Sequence, residues 1–383
     1  MRSSVLARIL VLTLAALTLY VSAPSQSSWG APGQPFVIAL AGPISGPNAQ
    51  YGVLLKNGAQ LAVNQLTAAG GVDGHPIKLL LADDQMDPKQ SPLVAQRLAQ
   101  DKSVLAVIGH FASTNTLAAM PIYTRVGVPV LSHSTSTNLS GISKWFFRLA
   151  VTNDVQGTQL GKYAVERLGG KRVAVMFAQT EGNQTVEGPF EEAVKAAGGQ
   201  IIAVETHQLN DKDYTAQITK LKGTNPDVVF LNTFFNESAL IVRQAREAGF
   251  RTKFIAVESA GGPDFLKLGG AAAEGVYAGA YWDPSSPSKL ARKFVADYKA
   301  AYGQLPEQYG AQAYAAVMIF ADVLRHGART RQAILDYLSR VGTTKGFDTA
   351  AGKMVWNQKH DVYVPMVILQ VKNGQWVLAP QQQ

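Results

Sequence analysis

Residues 104–138 read VLAVIGHFASTNTLAAMPIYTRVGVPVLSHSTSTN, and this pattern decides the fold. The unbroken apolar run at 104–108 is too short for a buried helix and suits a strand covered on both faces. A helix near 114–124 follows, then a second apolar strand at 128–131. After each strand the chain turns abruptly polar, from Gly109 to Thr116 and again from Ser132 to Asn138. In an open parallel sheet both loops lie outside the carboxyl ends of the strands, where such sheets bind ligands. Hydroxyls and unpaired N–H groups at a helix start can hold an anion. The same serines and threonines can instead cap helices. Both readings stand for either loop alone; together they favour an anion pocket.

The alternation extends in both directions. Upstream, strands at 36–41 and 77–82 enclose a helix over 51–69, with Leu54, Leu55, Ala59, Leu61, Ala62 and Leu66 at helical spacing. Gly70 and Gly71 end that helix, and another over 88–101 leads into residue 104. Downstream, helices at 155–168, 188–197, 214–221 and 237–248 alternate with strands at 172–177, 201–205, 228–231 and 254–257. Ala68-Ala69-Gly70-Gly71 recurs as Ala196-Ala197-Gly198-Gly199. Each copy precedes a strand, an acidic loop and a helix, a weak repeat that suggests two lobes of one topology. Helices at 290–302, 309–325 and 330–341 and strands at 363–371 and 375–378 finish the chain. The fold class is α/β, with two doubly wound parallel-sheet lobes.

Composition agrees. At 383 residues, 47% hydrophobic and 16% charged, the chain can fill two cores and is not disordered. The net charge of +8 is scattered, with no basic run, which argues against nucleic acid. The absence of cysteine removes thiol catalysis, disulfides and the lipid-bearing residue of a lipoprotein. Residues 1–30 read as a signal peptide: Arg2 and Arg8 accompany an apolar stretch at 9–21, and small residues follow. That stretch is shorter than the ~20 residues a spanning helix needs. A periplasmic protein, exported and not lipidated, is expected.

Enzyme machinery is missing from the pattern. The six histidines show no HExxH spacing. Residues 157–162 fall one short of a P-loop, and Ser45 is misplaced for a nucleophile elbow. Asp83, Asp84 and Asp87 could chelate calcium, but Pro88 and Lys89 follow directly, and an acidic helix start is the favoured reading. No metal and no cofactor are expected. Glu258 is more informative, because it ends the apolar run Phe254-Ile-Ala-Val257 and so faces the carboxyl-end cleft of the second lobe. An anion site on one lobe and a fixed negative charge on the other suit a zwitterion; a surface salt bridge is the competing reading for Glu258.

At these residues the sequence resembles the leucine/isoleucine/valine-binding periplasmic proteins, the type I solute receptors of branched-chain amino-acid ABC transporters. The resemblance rests on Ala41-Gly-Pro-Ile-Ser-Gly-Pro47 with Gln50-Tyr51-Gly52, on Asp83-Asp84 with Asp87-Pro88, and on Val107-Ile-Gly-His110 with Ser113-Thr114. Arg243-Gln-Ala-Arg-Glu-Ala-Gly249 and Glu258 continue it in order, so that it covers 35–376. It implies a three-strand hinge with crossings near Asp154, Trp282 and His360. Lobe 1 would then comprise 35–153 plus 283–359, and lobe 2 would comprise 154–282 plus 360–383.

The resemblance also implies roles. Ser113 and Thr114 would bind the ligand carboxylate, and Ser134 and Ser136 would complete that site and receive the ammonium. Tyr51 would line the pocket, Phe234 would close over the ligand, and Glu258 would pair with the α-ammonium. The expected ligand is a small amino acid, branched-chain or otherwise hydrophobic, held by a monomer that docks on an ABC permease in the inner membrane. An enzyme using the same cleft, a sensor, and a receptor for an amide, urea or aromatic acid are the alternatives. Three departures touch the pocket: 180–185 read TEGNQT where Tyr-Gly is frequent, Phe234 replaces an aromatic hydroxyl, and His133 stands where proline is usual.

Overall fold

The computed structural model describes residues 33–380; the expected signal peptide lies outside the described residues. The first sheet contains β1 (Phe36–Gly42), β2 (Ile77–Asp83), β3 (Val104–Ile108), β4 (Val130–Ser132) and β5 (Phe146–Arg148). Their order is β2-β1-β3-β4-β5, and every pair is parallel. Helices α1 (Ala49–Ala68), α2 (Ser91–Gln100) and α3 (Ser113–Val126) make the crossovers. Strands such as β1, apolar on both faces and buried along almost their whole length, are what a sheet between helix layers requires.

The second lobe begins with α4 (Asn153–Glu166) and continues through β6 (Arg172–Ala178), α5 (Glu181–Ala196), β7 (Gln200–His207), α6 (Thr215–Gly223) and β8 (Val228–Asn232). It goes on through α7 (Phe235–Glu247), β9 (Lys253–Ala256), α8 (Pro263–Gly269) and β10 (Tyr277–Ala280). Helices α9 (Lys289–Tyr302), α10 (Gln308–Arg325) and α11 (Arg331–Gly342) follow, and α10 packs on α1 of the first lobe. A small hairpin, β11 (Phe347–Thr349) and β12 (Gly352–Met354), precedes β13 (Val367–Lys372) and β14 (Gln375–Leu378). The second sheet has the order β14-β13-β10-β9-β8-β6-β7. Its last two strands run antiparallel, so this sheet is mixed rather than wholly parallel.

The chain passes between lobes after β5, after β10 and between β12 and β13. Leu149, Ala150 and Val151 at the first passage are fully buried and belong to one apolar cluster running from Ile38 and Leu55 to Leu231 and Phe254. Separate clusters fill the outer face of each sheet. At the end of β3, Gly109 has φ 127° and a Cβ there would lie 2.0 Å from the Ala41 carbonyl oxygen. Only glycine fits, and it sets the start of the polar loop that reaches Ser113.

Candidate functional site

The loops after β3 and β4 face the second lobe across a cavity of about 290 Å³, near the lower end of the range for small-molecule pockets. Ser113 and Thr114 open α3 and line it. The N-cap residue of α3 is Ala112, which has no side chain to bond the first N–H groups, so these remain on offer at the positive end of the helix. Ser113 Oγ accepts from the N–H of Thr135 at 3.2 Å and of Ser136 at 3.1 Å, which frees its own O–H to donate. The capping reading therefore fails at the first loop. It holds at the second, where Ser136 Oγ accepts from the Asn138 N–H at 3.2 Å and caps a short turn over Thr137–Leu139.

Glu258 opens the turn after β9 and lines the opposite wall, with 7% of its surface exposed. Its backbone is pinned: the N–H donates to Gln156 Oε1 at 2.9 Å, and the carbonyl accepts from Gln308 Nε2 at 3.1 Å. Burial pushes the carboxyl up to about 7, against the opposing pull of the Gln156 side chain and the Tyr281 hydroxyl. No lysine or arginine is among the described residues lining the cavity, and Glu258 has no ion pair among the described residues. The salt-bridge reading is thereby set aside. Nor does any group of His, Asp or Glu among the described residues suit a metal ion.

A sequence profile described as periplasmic binding protein matches residues 35–375. This chain belongs to the periplasmic binding protein family. It is 31% identical, over 85% of its length and 86% of the relative's, to the leucine-, isoleucine-, valine-, threonine- and alanine-binding protein of Pseudomonas aeruginosa. Against the leucine-specific-binding protein of Salmonella typhimurium the identity is 29%, covering 88% of this chain and 90% of the other. A solved leucine-binding protein from Thermotoga maritima superposes with a TM-score of 0.84 at 29% identity, over 90% and 97% of the two chains. A branched-chain amino-acid binding protein from Streptococcus pneumoniae, solved with isoleucine, gives 0.82 at 27% identity, over 89% and 97%.

In this periplasmic binding protein Ser113, Thr114, Ser134, Phe234 and Glu258 meet at the cavity, whereas Tyr51 and Ser136 stand behind its wall. Tyr51 is a strut between lobes: its hydroxyl donates to the Ser259 carbonyl at 2.5 Å and accepts from the Phe235 N–H at 3.2 Å. Ser136 Oγ donates across the cleft to Glu181 Oε1 at 2.7 Å and so is taken by protein. Ser134 lines the wall, but its hydroxyl bonds Thr116 Oγ1 at 2.6 Å and its N–H donates to Ser132 Oγ at 3.1 Å. It shapes the site without a free donor.

The sequence marks His133 and the 180–185 segment with Glu181 only as departures that touch the pocket, and it does not single out Thr135 or Arg148. His133 and Thr135 line the cavity on either side of Ser134, whose hydroxyl is held with Ser132 in the hydrogen-bond net. Glu181 lines the cavity from α5, beside Gly182, where a Cβ would come within 3.2 Å of the Ser113 Cβ. Arg148 is fully buried and holds the 134–136 loop: it donates to the carbonyls of Ser134 and Ser136 and pairs with Asp361 at 2.8 Å.

Proposed function

We propose that this protein captures a small α-amino acid, branched-chain or otherwise hydrophobic, by closing its lobes at the hinge, and delivers it to an ABC permease. The carrying observation is the facing pair: open N–H groups and the Ser113 hydroxyl at the start of α3, and the cation-free carboxylate of Glu258 opposite. The names of the relatives support an amino-acid cargo. In this reading Thr114 joins Ser113 on the carboxylate, Ser134 and Phe234 shape the pocket, and the lobes divide at 153/154, 282/283 and 359/360. Residues 1–30 direct export to the periplasm, the protein acts as a carrier without turnover, and it works as a monomer.

Thermal unfolding of the mature protein tests this. Amino acids should raise the midpoint by mass action, whereas ureas, simple amides and aromatic acids, which lack the ammonium, should not. A shift with benzoate or urea and none with any amino acid overturns the reading. Calorimetric affinity should also depend on pH. The ammonium needs an ionised Glu258, and burial raises that carboxyl to about 7. Affinity is therefore level above about pH 8 and falls by up to about tenfold per unit below 7. Ser113→Ala removes a hydroxyl donor to a charged group, worth about 1.5–3 kcal/mol. Roughly 10- to 100-fold weaker binding by calorimetry is expected, with little change in the unfolding midpoint of the ligand-free protein.

A further inference from the structure

Besides the carboxylate Glu181, whose Oε2 is also unpaired, two neutral side chains in the cavity wall have hydrogen-bonding atoms with no partner. Both imidazole nitrogens of His133 and the hydroxyl of Tyr309 are buried and unpaired, and both residues line the cavity. Their ring centres lie 6.3 Å apart with the planes at 71°. Phe111 packs edge-on against Tyr309 at 5.0 Å and lies 6.5 Å from His133, so the surroundings supply aromatic carbon and no substitute partner. Buried polar groups left this way are costly, and folded proteins generally pair them.

Burial alone drives the His133 ring down to about 3, so it is the neutral imidazole at any pH the protein meets. A neutral imidazole presents one N–H donor and one bare nitrogen acceptor, and a phenol presents a donor and an acceptor on one oxygen. The soft rotation of histidine about its Cβ–Cγ bond lets either nitrogen turn to an arriving group. An aliphatic ligand leaves all of these atoms unpaired. An anionic side chain would meet Glu181 and Glu258 in the same wall, with no lysine or arginine among the described lining residues to offset them.

We propose that His133 and Tyr309 set specificity by receiving an uncharged hydrogen-bonding group, a hydroxyl or a carboxamide, on the side chain of the amino acid. This rests on the amino-acid part of the proposed function and replaces its wholly hydrophobic side chain, among small ligands, with one that has a polar end.

Isosteric pairs separate the two levels. Calorimetry on the mature protein compares threonine with valine and asparagine with leucine, which match closely in shape and differ in polarity. Threonine and asparagine should bind about tenfold more tightly than their apolar partners, or about 1.4 kcal/mol. His133→Phe keeps a ring in place without nitrogens and should abolish or reverse both ratios; Tyr309→Phe, which removes one oxygen, should reduce them and serves if the first variant does not fold. Valine and leucine binding as tightly as their partners, lysine or arginine binding best, or ratios unmoved in the variants would each overturn the proposal while leaving an amino-acid receptor. If no amino acid binds at all, the amino-acid reading falls and this inference falls with it.

Discussion

Glu258→Gln should lower amino-acid affinity roughly 10²-fold or more while raising the stability of the ligand-free protein at alkaline pH. Both effects have one origin. The carboxylate is buried without a cationic partner, and its carboxyl stands at about 7 because desolvation penalises the charged form. In the closed complex proposed above, the ligand ammonium would supply the missing charge. Breaking one side of such a buried pair costs ~3–5 kcal/mol, a factor of 10² or more in the dissociation constant. Without ligand the sign reverses. An acid raised from 4.5 to about 7 gives the fold a relative stability that is present below 4.5 and lost as pH rises through 7. Glutamine is uncharged throughout, so the variant should unfold a few degrees above wild type at about pH 8 and close to it at about pH 5. Its weak residual affinity should not vary between pH 6 and 8. Wild-type affinity in the variant would remove Glu258 from the ligand, and an unchanged or lowered alkaline midpoint would remove the buried charge.

The features behind that expectation were legible to different degrees. Glu258 could be found because a charge at the end of the apolar run 254–257 has a cost that some function must justify. Ser113 and Thr114 could be found because a polar loop after a buried strand must face the cleft. That Tyr51 and Ser136 stand behind the cavity wall was not legible, for a different reason. What their hydroxyls bond, Ser259 and Glu181, lies 208 and 45 residues away, and no local pattern records it. Short elements were also invisible: β5 has only the residues Phe146–Arg148, and β10 reads YAGA, with neither the length nor the β-branched content that marks a strand. The pattern places the start of α5 at residue 188, where Pro189 suits a first helical turn and Gly182 breaks the pattern before it. In the structure it starts at Glu181, where Thr180 Oγ1 accepts from the Asn183 N–H at 3.2 Å. That earlier start is what brings Glu181 to the cavity.

Arg148, in the unpredicted β5, carries the second large expectation. Its guanidinium is wholly buried and spends its donors on Asp361, on the carbonyls of Ser134 and Ser136, and on Ser140 Oγ at 3.2 Å. One planar group thus joins the segment just before β13 to the loop whose Thr135 and Ser136 N–H groups fix Ser113. Arg148→Met keeps the volume but leaves a mostly buried carboxylate and the loop carbonyls without partners, a loss of ~3–5 kcal/mol or roughly 10 °C in the unfolding midpoint. Arg148→Lys keeps a charge for Asp361 but not the fork that reaches several acceptors at once, so it should fall between. The double variant Arg148→Met with Asp361→Asn separates the two jobs. Removing the stranded charge should restore part of the midpoint, because neutral unpaired groups cost less than ionic ones. It cannot restore the bonds to the Ser134 and Ser136 carbonyls, so amino-acid affinity should stay low in single and double variants alike. If the double variant recovered affinity together with stability, Arg148 would serve the fold alone, and the shape of the Ser113 site would have to come from elsewhere in the hinge.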